Sequence, residues 1–326
     1  MLTPEAPTSD AERTPAPAAQ SVAGSGPFLA VVNPAAGGGR CGKLFPDALA
    51  RVRKSGVEVD VVETSRAGEA TELVRAAWAE GRRHFIGAGG DGTGYEIING
   101  LFPLADAGEV PTLGFLPMGT GNSFLRDFSD AGAEYSIASL GAGKARPCDV
   151  MRLTYDDADG PGELHFINLM SIGFVADVNG LRARRFKRWG ELGYIFSVVL
   201  GVLGLKRRAF PMRHDGGDLD DEPMVFASFN NSKFTGGKMM MAPHATTDSG
   251  KIAYIRVGPL GRVSLLMTFP KIFKGTHVEH PSVSKSQVDR VEFSLQESID
   301  VMIDGEALEL IPRTLEVLPG ALNVVA

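Results

Sequence analysis

Residues 84–100, His-Phe-Ile-Gly-Ala-Gly-Gly-Asp-Gly-Thr-Gly-Tyr-Glu-Ile-Ile-Asn-Gly, constrain the fold more than any other stretch of the chain. Phe85 and Ile86 read as the end of a strand and Gly87, Gly89, Gly90 and Gly92 as a turn. Tyr95, Ile97 and Ile98 read as the first turns of a helix. A glycine turn between strand and helix brings bare N–H groups against phosphate oxygens, and the helix dipole favours an anion there. Asp91 stands inside that turn, where a carboxylate is costly unless it meets a metal or takes up a proton. The bland alternative is a tight turn that happens to be glycine-rich. With 40 Gly in the chain a pair of glycines is cheap, but the run Gly89-Gly-Asp-Gly-Thr93 is not.

The same strand-to-helix unit recurs around this stretch. Phe28–Val32 is unbroken and apolar, as expected of a strand buried on both faces of a parallel sheet. It ends in Asn33-Pro34-Ala-Ala-Gly37-Gly38-Gly39-Arg40, and an amphipathic helix follows to about Ser55. Gly37 to Lys43 fits the first seven positions of a P-loop, but Leu44 stands where a magnesium-binding Ser or Thr is required, so that reading fails. A second strand, Val57–Val62, ends at Glu63-Thr64, and a helix runs from about Gly68 to Glu80. A fourth strand, Thr112–Leu116, leads into Pro117-Met-Gly119-Thr120-Gly121-Asn122-Ser123. In an open α/β sheet the loops beyond the strand C-termini form the ligand crevice, and four such loops converge here.

A length of 326 residues suggests two domains. The net charge of −6 argues against a nucleic-acid partner, which calls for a basic excess. Cys41 and Cys148, the only cysteines, make no disulfide framework and fit a reducing cytoplasm. Residues 1–26 are rich in Ala, Pro, Ser and Thr and lack the basic start and apolar core of a secretory signal; they read as a disordered tail. The α/β domain then covers 27–147.

From about Cys148 the texture becomes β-rich, defining a second domain over 148–326. Its strand-like runs are Asp149–Tyr155, Leu164–Ile172, Met224–Asn230, Lys251–Val257, Gln287–Leu295 and Ile299–Ile303. One convincing helical segment interrupts them, Gly190–Leu205, too short in its apolar part to cross a bilayer. It is flanked by Arg182, Arg184, Arg185, Lys187 and Arg188 before, and Lys206, Arg207 and Arg208 after. It reads equally as a core helix with solvated ends, or as an apolar wall for a lipid tail beside a basic patch for anionic membrane.

With these motifs placed, the chain from about Phe28 to its C-terminus resembles the diacylglycerol kinase catalytic family, which includes bacterial lipid kinases and the sphingosine and ceramide kinases. The carriers are Asn33-Pro34-x-x-Gly37, Thr64, Gly89-Gly-Asp-Gly-Thr93, Pro117-x-Gly-Thr-Gly-Asn122 and Asp304-Gly-Glu306, in that order. The resemblance implies a Rossmann-like α/β nucleotide domain and a C-terminal β-sandwich, as in NAD kinases, with the last segment returning to the first domain. It implies a transfer from Mg-ATP to a lipid hydroxyl of diacylglycerol, a sphingoid base or ceramide. By it, Asn33, Pro34, Gly37, Thr64, Gly89, Gly90, Asp91, Gly92, Thr93, Gly119, Thr120, Gly121 and Asn122 would bind ATP. Asp91 and Asp304 would contribute to Mg²⁺, and Glu306 or Asp91 would accept the hydroxyl proton. Asp304-Gly-Glu306 could also be an ordinary turn between strands.

Bacterial members bind a structural magnesium through a segment resembling Ala-x-x-Asp-Asp-Gly-x. Here it is Ala245-Thr-Thr-Asp248-Ser249-Gly250-Lys251, with Ser249 for the second aspartate and an added cation at Lys251. The implied partners are a lipid substrate and an anionic membrane touched from the cytoplasm, with a homo-oligomer left open. An NAD kinase-like nucleotide kinase shares the two-domain plan and the Gly-Gly-Asp-Gly-Thr loop. A non-catalytic nucleotide-binding regulator on the same scaffold is the third reading.

Overall fold

The computed structural model describes residues 20–21, 26–181, 201–202 and 204–326. From Phe28 strands and helices alternate: β1 (Phe28–Val32), α1 (Ala36–Lys54), β2 (Val59–Glu63), α2 (Glu69–Ala79), β3 (His84–Gly89), α3 (Asp91–Leu101) and β4 (Thr112–Pro117). A 3-10 turn at Phe124–Asp127 and helix α4 (Ala133–Ala142) follow. The four strands are parallel in the order β2-β1-β3-β4. Ala30 and Val32 of β1 share a core with Phe45 and Val52 of α1, whereas Val31 joins Val74 of α2 and Ile97 of α3. Both faces of β1 are thus covered, which is why its sequence is apolar without a break.

The glycine stretch is tighter than its sequence suggests. Gly87 and Gly89 belong to β3, α3 begins at Asp91, and only Gly90 lies between them. The missing side chains let the helix lie close on its strand. A Cβ on Gly87 would stand 2.9 Å from Ile97 Cδ1, and one on Gly89 would overlap Thr93 Oγ1.

The second half contains β5 (Lys144–Asp157), β6 (Gly160–Phe166), β7 (Leu169–Gly173), α5 (Phe174–Leu181), β8 (Phe226–Asn230), β9 (Phe234–Thr235) and β10 (Met239–Met240). It continues with β11 (Ile252–Val257), α6 (Arg262–Thr268), β12 (Val283–Val288), β13 (Arg290–Phe293), β14 (Ile299–Ile303) and β15 (Glu306–Val325). Strand β15 ties the molecule together. It pairs antiparallel with β14, β5 and β13, and its end at Asn323–Val325 joins β4 in parallel. The C-terminal residues therefore extend the first sheet.

Several elements differ from the sequence reading. Helices α5 and α6 and strand β15 were not expected. Pro312, Pro319 and two register shifts against β5 interrupt the alternation by which β15 would be recognised. The run 164–172 is two strands, because Ile167 and Asn168 leave the ladder and turn their N–H groups to Asp304. Within the expected disordered tail, Gln20 and Ser21 pair with Ala145 and Lys144, while residues 1–19 and 22–25 lie outside the described residues. So do Arg182, Arg184, Arg185, Lys187, Arg188 and most of the apolar segment at 190–205. Two of its flanking cations are bonded to the second domain: Arg208 pairs with Asp177 at 2.5 Å and Arg207, itself exposed, donates to Leu260 O at 3.1 Å. No helix among the described residues is long and apolar enough to cross a membrane.

Candidate functional site

The expected loops meet at the C-terminal ends of β1 to β4. Asp91 is the first residue of α3, where the helix dipole favours a negative charge. Its carboxylate accepts from the Ser123 N–H at 2.8 Å. Burial raises its pKa and the Ser123 hydrogen bonds oppose that rise. Asp91 thus holds the loop 117–123 across the head of the helix. The same loop is fixed from below by two N–H groups, of Met118 and Gly119, that both donate to Gly89 O at 2.7 Å. Asn122 closes it, accepting from Gly119 N–H at 3.1 Å and donating to Gly119 O at 2.9 Å. The fit is backbone on backbone: a Cβ on Gly90 would stand 3.1 Å from Gly119 Cα.

The first loop joins this arrangement. Asn33 donates to Thr93 Oγ1 at 3.4 Å, and a Cβ on Gly37 would stand 2.6 Å from Met118 O. Gly37, Gly38 and Gly39 all have φ between +63 and +86, a conformation costly for other residues. They turn the start of α1 so that Arg40 reaches Met118 O at 3.3 Å and also Gly119 O. Pro34 lies at the foot of this turn, where its carbonyl accepts from Gly42 N–H at 3.1 Å. Thr64 closes the end of β2 on Val32 O through its N–H, at 2.8 Å. Thr120 is exposed at the tip of its loop, and Gly121 lies against Asp91.

Asp304 enters from the other domain. It and Gly305 form the two-residue turn from β14 to β15, both at positive φ. The turn reading therefore holds at this position, and the turn carries Asp304 to the cleft. The buried Asp304 carboxylate accepts from three N–H groups, of Ile167, Asn168 and Leu169, at 3.2, 3.1 and 2.9 Å. Burial pushes its pKa up to about 7, the three donors pull it down, and the charge of Asp91 adds to the rise. Asp91 and Asp304 line one pocket with Gly90, Asn122, Phe124 and Asn168. Glu306 is exposed beside it, close enough that a Cβ on Gly92 would stand 3.2 Å from its Oε1. The half-buried Tyr95 phenol lies near both carboxylates, its pKa raised first by burial and then by the charges of Asp304 and Glu306.

A half-buried and a buried carboxylate lining one pocket are the arrangement a dication relieves. Among the described residues no three His, Cys, Asp or Glu side chains group as metal ligands. A Mg²⁺ in the cleft would therefore take Asp91 and Asp304 and complete its shell with phosphate oxygens and water, the donors it prefers. At the second segment Lys251 turns away to Asp289 at 2.5 Å, and Ser249 bonds to Thr246 O. Asp149 closes that loop by accepting from Gly250 and Gly320 N–H at 2.6 and 2.9 Å.

Some contributors carried no sequence signal. Ser123 Oγ accepts from Gly237 N–H at 2.9 Å, and Asp127 accepts from Lys233 N–H at 3.0 Å with Lys233 Nζ 3.4 Å away. Asn231 and Ser232 donate to Asn168 O, behind Asp304. The Ser123 and Asp127 bonds lock the two domains across the cleft, joining residues about a hundred positions apart in the chain, while the Asn168 bonds brace the second domain from within. Arg40 was visible only as the end of a glycine run.

Comparison with known proteins agrees with this geometry. Residues 27–153 match the diacylglycerol kinase catalytic domain, and residues 168–326 match the YegS C-terminal NAD kinase beta sandwich-like domain. A diacylglycerol kinase of Mycobacterium tuberculosis is 30% identical over 92% of this chain and 95% of its own length. Among solved structures, a candidate diacylglycerol kinase from Bacillus anthracis superposes with a TM-score of 0.73 at 24% identity, covering 92% of this chain and 96% of that one. Yeast NADH kinase superposes at 0.50 and 12% identity over 94% and 86%, a likeness of fold alone. An α/β nucleotide-type domain sewn to a β-sandwich, with five motifs at one cleft and a full-length relative, places this chain in the diacylglycerol kinase family of lipid kinases.

Proposed function

We propose that this lipid kinase transfers the γ-phosphate of ATP, bound with Mg²⁺, to the hydroxyl of a membrane lipid, releasing ADP and a phosphorylated lipid. The observation that supports it best is the meeting of three carboxylates, Asp91, Asp304 and Glu306, beside the glycine loops. Phosphoryl transfer needs positioned phosphates, neutralised charge and an acceptor for the hydroxyl proton. The N–H groups around Gly90 and at the head of α3 would hold the phosphates, with Arg40 beside them. Asp91 and Asp304 would hold Mg²⁺, which offsets charge on the transferring phosphoryl group. Glu306, exposed at the mouth, would take the proton from the incoming alcohol. Asp91 is already committed to Ser123 and better placed to organise the triphosphate.

The name of the Mycobacterium tuberculosis relative favours diacylglycerol over a sphingoid base or ceramide as the acceptor. The second reading, a nucleotide kinase acting on NAD, rests on the shared two-domain plan alone. Offering diacylglycerol, a sphingoid base, ceramide and NAD separately, and following ATP consumption, separates these. Turnover with NAD alone would overturn the lipid reading.

A further inference from the structure

The face of the second domain built by α6 and the 3-10 segment after it (Phe269–Lys274) has an unusual composition. Its inner residues Leu265, Thr268 and Ile272 are buried, the two apolar ones in a core with Phe226 and Ile255. A solvated amphipathic element would carry polar residues on the other side. Here that side shows Val263, Leu266, Met267 and Phe273, exposed by 75, 50, 72 and 52%. Nine large apolar residues are exposed among the described residues, and four of them, including the two most exposed, fall within this short stretch. Single exposed apolar residues are ordinary, but a cluster marks an interaction surface.

Charge says what covers it. From Ser249 to Val278 the chain has no Asp or Glu. Arg262, Lys271 and Lys274 are exposed around the apolar residues; Arg262 donates to Val202 O at 3.1 Å, and among the described residues neither lysine pairs with a carboxylate. Apolar side chains ringed by exposed cations match an anionic lipid surface, where the former enter the acyl boundary and the latter meet headgroups. The face is also continuous with the cleft. The 3-10 segment packs on β10, β10 pairs with β9, and in the turn between them the Gly237 N–H binds Ser123 of the nucleotide loop.

We infer that residues 262–274 are the surface by which this protein docks on an anionic bilayer, presenting its cleft to a substrate held there; the inference rests on the lipid-kinase reading. The full-length protein is sedimented with vesicles of phosphatidylcholine alone and of equal parts phosphatidylcholine and phosphatidylglycerol. The wild type should bind the anionic vesicles more tightly, and salt should weaken that binding. Lys271→Gln with Lys274→Gln should weaken it about thirtyfold, two cations near the surface being removed. Val263→Ser with Met267→Ser and Phe273→Ser should lower binding by about tenfold or more. Leu219→Ser, at an exposed apolar residue elsewhere, should change nothing. Equal binding by wild type and both multiple variants would overturn the inference. So would a wild-type dimer that the serine variant converts to monomer while vesicle binding stays the same, which would give the face to a second copy. Phosphorylation of dispersed dioctanoylglycerol without vesicle binding would remove the docking surface and keep the lipid kinase. Vesicle binding through this face without transfer to any bilayer lipid would do the reverse.

Discussion

Replacing Gly119 by alanine tests how the cleft is built. A Cβ at this position would overlap Gly90 Cα and stand 2.8 Å from Gly90 N. Carbon atoms in contact prefer about 3.5–4.0 Å, so the two loops must part by roughly an ångström. No side chain can rotate away, since both partners are backbone. Parting the loops would stretch the hydrogen bonds from Met118 and Gly119 N–H to Gly89 O, now 2.7 Å, beyond useful length. Two such bonds contribute about 1–3 kcal/mol together, and residual overpacking costs about 1–3 kcal/mol more. For a chain this long the unfolding entropy is about 0.7 kcal/mol/K, so a loss of about 2–6 kcal/mol lowers the melting temperature by about 3–9 °C. The displaced loop also misplaces the N–H groups at Asp91, so ATP affinity should fall with stability. Thermal denaturation monitored by circular dichroism, together with nucleotide titration, reads both. Gly38→Ala is the comparison: its φ of +69 is strained but nothing lies within 4 Å, so it should cost about 1 kcal/mol and leave ATP binding alone. If Gly119→Ala kept both the melting temperature and the ATP affinity of the parent, the close backbone packing argued here would be wrong.

Glu306→Gln should lower turnover by about 10²–10⁴-fold at nearly normal ATP affinity, whereas Asp91→Asn should weaken ATP or Mg²⁺ affinity together with turnover; steady-state kinetics at varied magnesium distinguishes them, and the reverse pattern would move the base to Asp91. His165 is fully buried on Phe102, neither ring nitrogen is hydrogen-bonded among the described residues, and burial, aided by Arg152, holds its pKa at about 4. Its folded value lies below the free value of 6.5, so the unfolded chain takes the proton first and stability falls as pH drops from about 6.5 towards 4, by up to about 3 kcal/mol. Denaturant unfolding at pH 7.5 and pH 4.5 should show that part of the loss disappear in His165→Leu. Asp127→Ala removes the acceptor for Lys233 N–H and should cost about 2–3 kcal/mol, read as an earlier denaturation midpoint; a change within error would make the domain lock there unimportant.

What could be read from the sequence was what depends on near neighbours. The apolar run at Phe28–Val32, the helix at Glu69–Ala79 and the glycine loops are local patterns, set by periodicity and by residues that permit unusual backbone. Their order was enough to indicate an α/β domain, and with the family motifs it indicated the β-sandwich as well. Register and length were less visible. Gly87 and Gly89 read as turn because they lack side chains, yet their neighbours Ile97 and Thr93 make them strand. The 20-residue β15 was hidden because its partners change along its length, from β14 to β5 and β13 and finally β4, so no single face alternates cleanly.

Tertiary structure alone decided which distant groups share one dielectric environment. Nothing near Asp304 in the chain announces that three N–H groups from Ile167–Leu169 would cradle it, or that it would face Asp91. Nor does any local pattern bind Arg207 and Arg208 to Leu260 and Asp177 while leaving Lys271 and Lys274 exposed beside apolar side chains. Sequence determined the chemical types available, because backbone preference and hydrophobic period are short-range properties. Burial and hydrogen-bond partnership at the cleft were left to the fold, because they depend on atoms more than a hundred residues away, such as Leu169 N, that only packing brings to 2.9 Å from Asp304.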